Sequence, residues 1–545
     1  MKPIFINLII SSTNSLLLLL ASAKFLLALQ QVGYKGHLYF RWLYSKKNLY
    51  RSRIMLLSLL GFMFFMVLGM TFASLIGDNL ASYVGFVAYV FFMGVYIYTE
   101  RHINAKIPLK LTKRMIRLIV VYVLLLFGIM VGLIALLDWL NLAMRPLTGE
   151  IFSILKYSVI ALLPMVAPFV LMLAYLICNP IETAINNKYV ERTKKVLAKS
   201  EVLKIGITGS YGKTSVKEIL KTLLSVKYRV LATPESYNTP LGISLTVHKL
   251  DIAHDVFIAE MGARETGDIG NLAKLVNPDI AILTGINEQH LESFKSIENI
   301  KNTKYELFEN LKEGGKAFFD VNNDIGKELS ERFTGEKYLV GGNDGIVKAT
   351  NVKVTPDGTL FSLLFDNGEE VDCFTTLIGK HSVRNILLAV SVAYKIGLTP
   401  IEISLGITRL HAIKHRLEIL PNNKGIILID DSYNANTDGA MSALETMSLF
   451  EGRKIIVTPG LVELGSNQNE INYKLGKEIA SKCDKLIISA KHNAEILISG
   501  FLDGGGDKSN IMYANGVVAA KKLLSEVLTA GDVVLFENDL PDIYD

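Results

Sequence analysis

Residues 208–215 read Thr-Gly-Ser-Tyr-Gly-Lys-Thr-Ser. This glycine-rich stretch is the most informative segment for predicting how the larger part of the 545-residue chain folds. A short apolar run over residues 202–207 precedes it, and apolar residues follow it at helical spacing over residues 216–224. Glycines let backbone N–H groups close around phosphate oxygens, and a helix N-terminus adds partial positive charge there. The pattern predicts strand, phosphate-binding loop and helix, which is how a nucleotide-binding α/β domain begins.

The loop also carries the side chains that phosphate and magnesium chemistry needs. Lys213 can reach the terminal phosphates of ATP, and the Thr214 hydroxyl can ligate Mg²⁺. The strict P-loop has four residues between its first glycine and the Gly-Lys pair, whereas only Ser210 and Tyr211 lie between Gly209 and Gly212 here. The candidate ATP-binding residues of this shortened loop are Gly209, Ser210, Gly212, Lys213, Thr214 and Ser215.

The shortened loop resembles that of the Mur ligase family, which reads Thr-Gly-x-x-Gly-Lys-Thr. Further blocks that resemble the family follow in order at residues 236–242, 260–263, 287–292, 304–306, 379–385, 415–418 and 430–436. Two of them, Glu-Met-Gly-Ala at 260–263 and Asp-Asp-Ser-Tyr-Asn-Ala-Asn at 430–436, are most similar to one branch of the family. That branch adds D-alanyl-D-alanine to the UDP-N-acetylmuramoyl tripeptide.

The resemblance implies an ATP-dependent amide ligase. In the family, the γ-phosphoryl group of ATP moves to a substrate carboxylate, and an amine then attacks the acyl phosphate with release of ADP and phosphate. By resemblance, Asn385 contacts adenine, while Arg416 and Asp431 hold the ribose and phosphates. The residues that the resemblance places near the muropeptide or the incoming amine are Asn238, Thr239, Tyr433, Asn434 and Asn436.

Two Mg²⁺ ions are expected beside ATP. Glu260 ends the apolar run 256–259, so it should lie at the carboxyl edge of a parallel strand and ligate metal beside Thr214. His290 follows the strand-like run 280–284, and the resemblance makes it a further metal ligand and catalytic residue. Lys304 is a cation, but the resemblance implies a carbamylated lysine, which would be an anion able to hold the second ion.

His411 and His415 lie four residues apart, on one face of any helix. No acidic ligand accompanies them in the sequence, so a zinc site is not expected. The cysteines Cys178, Cys373 and Cys483 are too few and too scattered for a disulfide framework, which favours a reducing compartment.

The first third of the chain has a different character. Residues 1–178 contain 16 Lys or Arg and 4 Asp or Glu, and they include five charge-free apolar segments of about the length that spans a bilayer. These segments are residues 4–23, 54–76, 83–99, 118–137 and 157–178. The basic residues lie in alternate loops, which predicts cytoplasmic loops and a cytoplasmic C-terminal part. The remaining residues are acidic overall, which argues against nucleic-acid binding.

Two other interpretations of the first segment remain open. Residues 1–23 could be a signal peptide with a small-residue cleavage site at 21–23, which would place the C-terminal part outside the cell. The segment could also lie at the membrane interface, and four spans would then keep the C-terminal part cytoplasmic.

The expected domains are a membrane region at 1–178 with about five transmembrane helices, a basic cytoplasmic linker at 179–200, a central ATP-binding domain at 201–420 and a C-terminal domain at 421–545. The fold class is an α-helical membrane region followed by α/β, with a P-loop central domain and a Rossmann-like C-terminal domain. Short strand-like runs with glycine turns over residues 338–377 predict a small antiparallel insert.

Three features depart from the family pattern. The soluble N-terminal domain that grips the uridine diphosphate is replaced by the membrane region, the usual Lys-Gly-Ser after the last strand is replaced by residues 537–542, and Thr437 replaces a proline. The expected partners are a muropeptide or lipid-linked cell-wall precursor, D-alanyl-D-alanine or a similar amine, and membrane lipid. The alternatives are a ligase for a lipid-linked or polyglutamate-type substrate, and a catalytically inactive membrane scaffold.

Overall fold

The computed structural model describes residues 2–45, 53–76, 78–100, 108–148, 158–235, 237–342, 345–421, 425–433 and 436–538. The chain forms two compact units. The first comprises the described residues up to 185, and the second comprises the described residues from 186 onward.

The first unit is helical in its described part. Its helices are α1 (Lys2–Ala21), α2 (Ala23–Gln31), α3 (Gly36–Tyr44), α4 (Arg53–Ile76), α5 (Asp78–Glu100), α6 (Lys113–Thr148) and α7 (Leu163–Lys199), of which α7 continues into the second unit. Polar side chains join these helices at a few points. The Ser22 and Tyr122 hydroxyls lie 2.6 Å apart, and Asn7 donates a 2.9 Å hydrogen bond to Asp138.

Two helices of the described residues are long and apolar enough to cross a membrane, α6 over Lys113–Met144 and α7. Helices α1 and α2 meet at a bend of 49° and would together make a third span. Shorter apolar helices lie within α4 and α5, at Leu56–Leu68 and Val87–Tyr98. The first unit is therefore helical and apolar, as expected, while the number of membrane spans stays a prediction. The start of the fifth expected segment, residue 157, lies outside the described residues.

The central domain of the second unit is built on a six-stranded parallel sheet of order β2-β3-β1-β4-β5-β6. Its strands are β1 (Leu203–Thr208), β2 (Val230–Ala232), β3 (Val256–Glu260), β4 (Ile280–Leu283), β5 (Lys316–Asp320) and β6 (Lys337–Val340). Its helices are α8 (Lys213–Leu224), α9 (Pro240–Val247), α10 (Asp268–Val276), α11 (Leu291–Phe294), α12 (Ile297–Glu309), α13 (Asp324–Arg332), α14 (Lys380–Ile396) and α15 (Pro400–Thr408). Helices on both faces bury the apolar strands, as parallel sheets require.

The antiparallel insert is smaller than the sequence indicates. It consists of β7 (Val347–Thr355), β8 (Gly358–Phe365) and β9 (Glu370–Thr375). Tyr338 and its neighbours were expected in the insert, but β6 pairs in parallel with β5 and ends the central sheet. The helix between β5 and β6 makes a crossover connection, and the Tyr338 ring stacks on Phe318 of β5 with 4.9 Å between centroids.

The C-terminal domain has its own six-stranded sheet of order β10-β11-β15-β12-β13-β14. Its strands are β10 (Glu418–Leu420), β11 (Ile427–Asp431), β12 (Lys454–Thr458), β13 (Lys485–Ile488), β14 (Ile511–Tyr513) and β15 (Val533–Glu537), and its helices are α16 (Thr437–Met447), α17 (Gln468–Lys482), α18 (Ala494–Asp503) and α19 (Gly516–Val527), with short 3₁₀ turns at Gly465–Asn467 and Lys508–Asn510. The sheet is parallel except for β10, which lies antiparallel to β11. Thus β10, although it precedes residue 421, belongs to this second sheet.

The segment expected as a linker, residues 179–200, is helical because it forms the end of α7. Its last turns belong to the core of the second unit. Leu197 is buried with Phe257 and Val247, and Val190 packs against the same cluster. Cys178, Cys373 and Cys483 are free and buried.

Candidate functional site

The loop at residues 208–215 follows β1 and leads into α8, as the sequence predicts. Gly212 has φ +76 and is the N-terminal cap of α8, a conformation that an L side chain rarely adopts. At Gly209 an added Cβ would lie 2.1 Å from Thr284 Oγ1. Only glycine therefore fits at either position. The Ser210 N–H donates to the Gly285 carbonyl at 2.6 Å, whereas the amides of the first turn of α8 lie at a helix N-terminus, where an anion can bind.

Lys213 is held by the loop itself. Its Nζ donates hydrogen bonds of 2.7 and 3.0 Å to the carbonyls of Gly209 and Ser210. Burial lowers the pKa of Lys213 to about 8, Glu260 opposes this shift, and Arg416 adds to it. The ammonium is therefore poorly solvated and ready to exchange carbonyl contacts for phosphate oxygens.

Glu260 lies at the carboxyl end of β3, as expected, and three side chains hold its carboxylate. Thr214 Oγ1 donates to Oε2 at 2.9 Å, and Asn238 Nδ2 donates to Oε1 at 3.2 Å. The Glu260 side chain is only 2 % exposed. The structure therefore brings together two of the four predicted metal ligands, Thr214 and Glu260, with the predicted substrate residue Asn238.

The third contact comes from Lys217, which the sequence analysis did not single out. Its Nζ lies 3.3 Å from Glu260 Oε2 and also donates to the carbonyl of Glu235. The side chain is fully buried. The sequence spacing could have indicated Lys217 as a site residue, because it lies four residues after Lys213 and therefore on the same face of α8.

Lys304, in α12, is buried with 3 % of its surface exposed. Burial and, to a smaller extent, the nearby Lys213 ammonium lower its pKa to about 7, although the Asp268 and Glu306 carboxylates act in the opposite direction. A large fraction of this amine is therefore neutral at physiological pH. Neutral amines react with carbon dioxide, so the environment suits the carbamylation that the resemblance implies.

His290 has φ +66, and its Nδ1 is hydrogen-bonded to the Glu463 carboxylate. Glu463 belongs to the loop after β12 of the C-terminal domain and also has positive φ, +64. His290 was expected as a metal ligand, and the structure shows it joining the two domains. Glu463 was missed, although its loop is bounded by Gly460 and Gly465 and follows a parallel strand.

Two of the expected substrate residues cap helices. Thr239 Oγ1 accepts a hydrogen bond from Gly242 N at 3.3 Å, and Asn436 Oδ1 accepts one from Gly439 N at 3.2 Å. Asn436 Oδ1 also accepts a 2.9 Å hydrogen bond from Asn287 of the central domain. Asn434, expected beside them, lies outside the described residues.

A cleft of about 710 Å³ lies between the central and C-terminal domains. It brings Gly212 and Ser215 of the loop together with Asn385, Arg416, Asp431 and Tyr433, all of them expected nucleotide or substrate residues. Asn385 also lies against the loop, because a Cβ on Gly212 would be 2.9 Å from its Oδ1. The Arg416 guanidinium lies over the Tyr433 ring, 5.3 Å from its centroid.

Asp431 has an acidic neighbour. It pairs in register with Glu537 across β11 and β15, and burial raises its pKa to about 6. Glu537 is fully buried, and its carboxyl group interacts with that of Asp431. Burial and the Asp431 charge raise the pKa of Glu537 well above its usual value.

One sequence inference about histidine is wrong. His415 was taken to lack acidic neighbours, but Asp430 Oδ2 lies 2.8 Å from its Nδ1 and Glu418 Oε2 accepts from its backbone N at 3.0 Å. Ligand atoms of the three residues lie within 4.8 Å of one another. The hairpin formed by β10 and β11 brings Glu418 opposite Asp430, which sequence spacing alone does not reveal.

The geometry fits a magnesium nucleotide. The loop leads into the N-terminus of α8, where backbone amides can bind an anion, and the Lys213 ammonium lies against the loop carbonyls of Gly209 and Ser210. Thr214 and Glu260 offer a hydroxyl and a carboxylate, the oxygen ligands that Mg²⁺ prefers.

Comparison with known families identifies two domains in the chain. Residues 207–393 match the Mur ligase middle domain, and residues 415–537 match the Mur ligase glutamate ligase domain. Both lie within the second unit, and the helical residues that precede position 207 are additional to this ligase core.

Individual relatives give the same result. UDP-N-acetylmuramoyl-tripeptide–D-alanyl-D-alanine ligase of Bacillus subtilis is 29% identical over 339 residues, which cover 61% of this chain and 72% of the relative. The Escherichia coli enzyme of the same name is 29% identical over 337 residues, 60% of this chain and 73% of the relative. The crystal structure of MurF ligase from Thermotoga maritima with ADP superposes with a TM-score of 0.58 at 25% identity, covering 65% of this chain and 80% of that one.

Proposed function

This chain belongs to the Mur ligase family, and we propose on that basis that it joins D-alanyl-D-alanine to the tripeptide of a muramoyl precursor in peptidoglycan synthesis. The reaction is ATP-dependent and ADP-forming. The observation that carries the proposal is the convergence of the glycine loop, Lys213 and the Thr214–Glu260 pair at one edge of the central sheet.

In the first step, the γ-phosphoryl group of ATP moves to the carboxylate of the tripeptide, which forms an acyl phosphate and ADP. Two anions must approach each other, so positive charge and fixed donors lower the barrier. Lys213 and the loop amides supply them on the ATP side. Thr214 and Glu260 would hold Mg²⁺, which neutralises phosphate charge when bound, with Lys304 in its carbamylated form and His290 as the further candidate ligands.

In the second step, the amine attacks the acyl carbon through a tetrahedral intermediate and phosphate leaves. We assign the amine to the C-terminal side of the cleft, which Tyr433 and Asn436 line. Asn385, Arg416 and Asp431 line the same cleft and are the candidates for holding adenine, ribose and phosphates. Asn238, which donates a hydrogen bond to Glu260, is the candidate residue for binding the muropeptide.

The helical unit supports a finer proposal, in which the chain is a multi-pass protein of the cytoplasmic membrane whose ligase domains face the cytoplasm. The supporting observation is that α6 and α7 are each long and apolar enough to span a bilayer, and that the α1–α2 pair would add a third span. A ligase fixed at the membrane could take a lipid-linked muropeptide as well as a UDP-linked one. That substrate is the second candidate.

ADP release by the detergent-solubilised full-length protein tests these proposals. The substrates are UDP-linked and lipid-linked muropeptides, each with D-alanyl-D-alanine or with a single amino acid. We expect ADP release to require both a muropeptide and D-alanyl-D-alanine. A preference for lipid-linked over UDP-linked muropeptide would support the second candidate.

A folded protein that binds ATP but releases ADP with none of these pairs would contradict the proposal. That outcome would favour the inactive scaffold.

A further inference from the structure

Lys217 is a buried cation of the site, and the proposed reaction assigns it no role. Its side chain is fully buried, and its ammonium contacts three oxygens. Glu260 Oε2 lies at 3.3 Å, Glu218 Oε1 lies at 3.4 Å, and the carbonyl of Glu235 accepts a hydrogen bond. Burying an ammonium costs free energy unless its partners are well placed, so such a residue is retained where its contacts matter.

The contacts of Lys217 connect two parts of the site that are distant in sequence. Glu260 is at the end of β3 and is the candidate metal ligand. Glu235 lies in the segment between β2 and α9, has φ +44, and precedes the candidate substrate residue Asn238. Asn238 in turn donates to Glu260 Oε1 at 3.2 Å and packs against Gly262, where an added Cβ would lie 2.6 Å from its Cγ.

The position of Lys217 on α8 makes this connection possible. Lys213 begins α8, and Lys217 is one turn further along the same face. Lys213 therefore faces the phosphate loop while Lys217 reaches past it to Glu260 and Glu235. A left-handed backbone at Glu235 is strained for a side chain of this kind, and a hydrogen bond to its carbonyl helps to hold that conformation.

We propose that Lys217 is a positioning residue that fixes the Glu260 carboxylate and the substrate segment around Asn238 to a single ammonium. Through Glu260 it couples metal and nucleotide binding to the geometry of the muropeptide site. The inference rests on the proposed ligase function for its kinetic consequence, whereas the connection itself is a property of the folded chain.

The test compares Lys217→Met with Lys217→Arg in the full-length protein. Lys221→Met is the matched control, because Lys221 lies one turn further along α8, its side chain is 47% exposed, and its ammonium lies 3.7 Å from Glu218 Oε2. Two quantities are measured: the KM for the muropeptide against kcat in ADP release, and hydrogen exchange of the peptides that cover residues 237–247.

We expect Lys217→Met to raise the muropeptide KM by about tenfold or more, with a smaller change in kcat. This factor corresponds to the loss of one charge-assisted hydrogen bond. Exchange in residues 237–247 should accelerate by a similar factor. Lys217→Arg keeps the positive charge and the hydrogen-bond donors, so its KM and its exchange rates should stay close to those of the wild type. Lys221→Met should also resemble the wild type.

A folded Lys217→Met protein with wild-type KM and wild-type exchange would overturn the proposal. If that variant does not fold, Lys217→Gln carries the same expectation, and failure of both to fold would assign Lys217 to stability alone and also overturn it. If the wild type ligates no substrate, the proposed function fails, but the exchange measurement still decides the role of Lys217.

Discussion

The Thr214 hydroxyl donates a 2.9 Å hydrogen bond to the Glu260 carboxylate, joining the end of the phosphate loop to the end of a neighbouring strand. Helix α8 and strand β3 thus present a hydroxyl and a carboxylate at the same sheet edge. This is where parallel α/β sheets bind ligands.

Glu260→Gln should reduce ADP release by about 10²–10³-fold, because the amide removes the negative charge that Mg²⁺ requires. One face of the amide would also present N–H groups to the donors of Thr214 or Asn238. The measurement is kcat/KM at several Mg²⁺ concentrations, with the exposed Glu313→Gln of the same domain as control. Turnover of Glu260→Gln within threefold of the control would exclude Glu260 as a metal ligand.

Lys304→Ala should be nearly inactive and should regain part of its activity with added acetate or formate. A small carboxylate can occupy the position of the carbamate, which an alanine leaves vacant. The control is Lys301→Ala in the same helix, since Lys301 forms a 2.6 Å ion pair with Glu328 outside the site. Full activity of Lys304→Ala, or a structure of the active enzyme with an unmodified ammonium at Lys304, would refute this role.

Glu537→Gln should weaken the pH dependence of stability. The pKa of Glu537 is raised in the folded protein, so the folded state keeps a proton that the unfolded chain releases above about pH 4.5. The unfolding free energy of the wild type therefore falls as pH rises through this window, and the amide removes this contribution. A change of ~1 kcal/mol in the unfolding free energy shifts the Tm by about 2–4 °C in a domain of 150–250 residues, and by less in a larger one.

The measurement for Glu537 is the difference between Tm at pH 8 and at pH 5.5. We expect the difference to be smaller in magnitude for Glu537→Gln than for wild type, and unchanged for the exposed Glu526→Gln. A steeper loss of Tm in Glu537→Gln would show that the carboxyl is ionised and stabilising.

The second unit should fold and bind ATP without the helical unit if the fragment starts at Asn186. A fragment that starts after Lys199 lacks Leu197, which is buried in the core of the central domain, so its Tm should be several degrees lower. On lipid-linked muropeptide the longer fragment should ligate poorly compared with the full chain. Equal kinetics of fragment and full-length protein on both precursors would mean that the helical unit is only an anchor.

Much of this architecture is predictable from local sequence. The loop at 208–215 and the end of β3 at Glu260 follow from apolar runs bounded by polar or glycine residues, because strand termini are encoded locally. Contacts between distant segments are not. Tyr338 was placed in the insert because a short apolar run does not specify whether its partner strand is parallel, and only packing against Phe318 decides it.

In the site, too, residues of one local segment could be predicted from the sequence, whereas contacts between distant segments could not. Lys213 and Thr214 are recognisable because they belong to one loop. Glu463 reaches His290 only after the two domains assemble, and Asp430 reaches His415 only after β10 and β11 pair. Lys217 looks like a solvated lysine of an amphipathic helix until the strand that carries Glu260 is placed beside it.

The most direct test of the central claim is the stoichiometry of ADP and amide product, measured for the full-length wild type and for the full-length Lys213→Ala variant. We expect one ADP for each D-alanyl-D-alanine joined, and Lys213→Ala should lower both rates by at least about 10²-fold, while the exposed Lys221→Ala leaves them unchanged. ADP formation without an amide product, or a folded Lys213→Ala protein with near-normal turnover, would contradict the account.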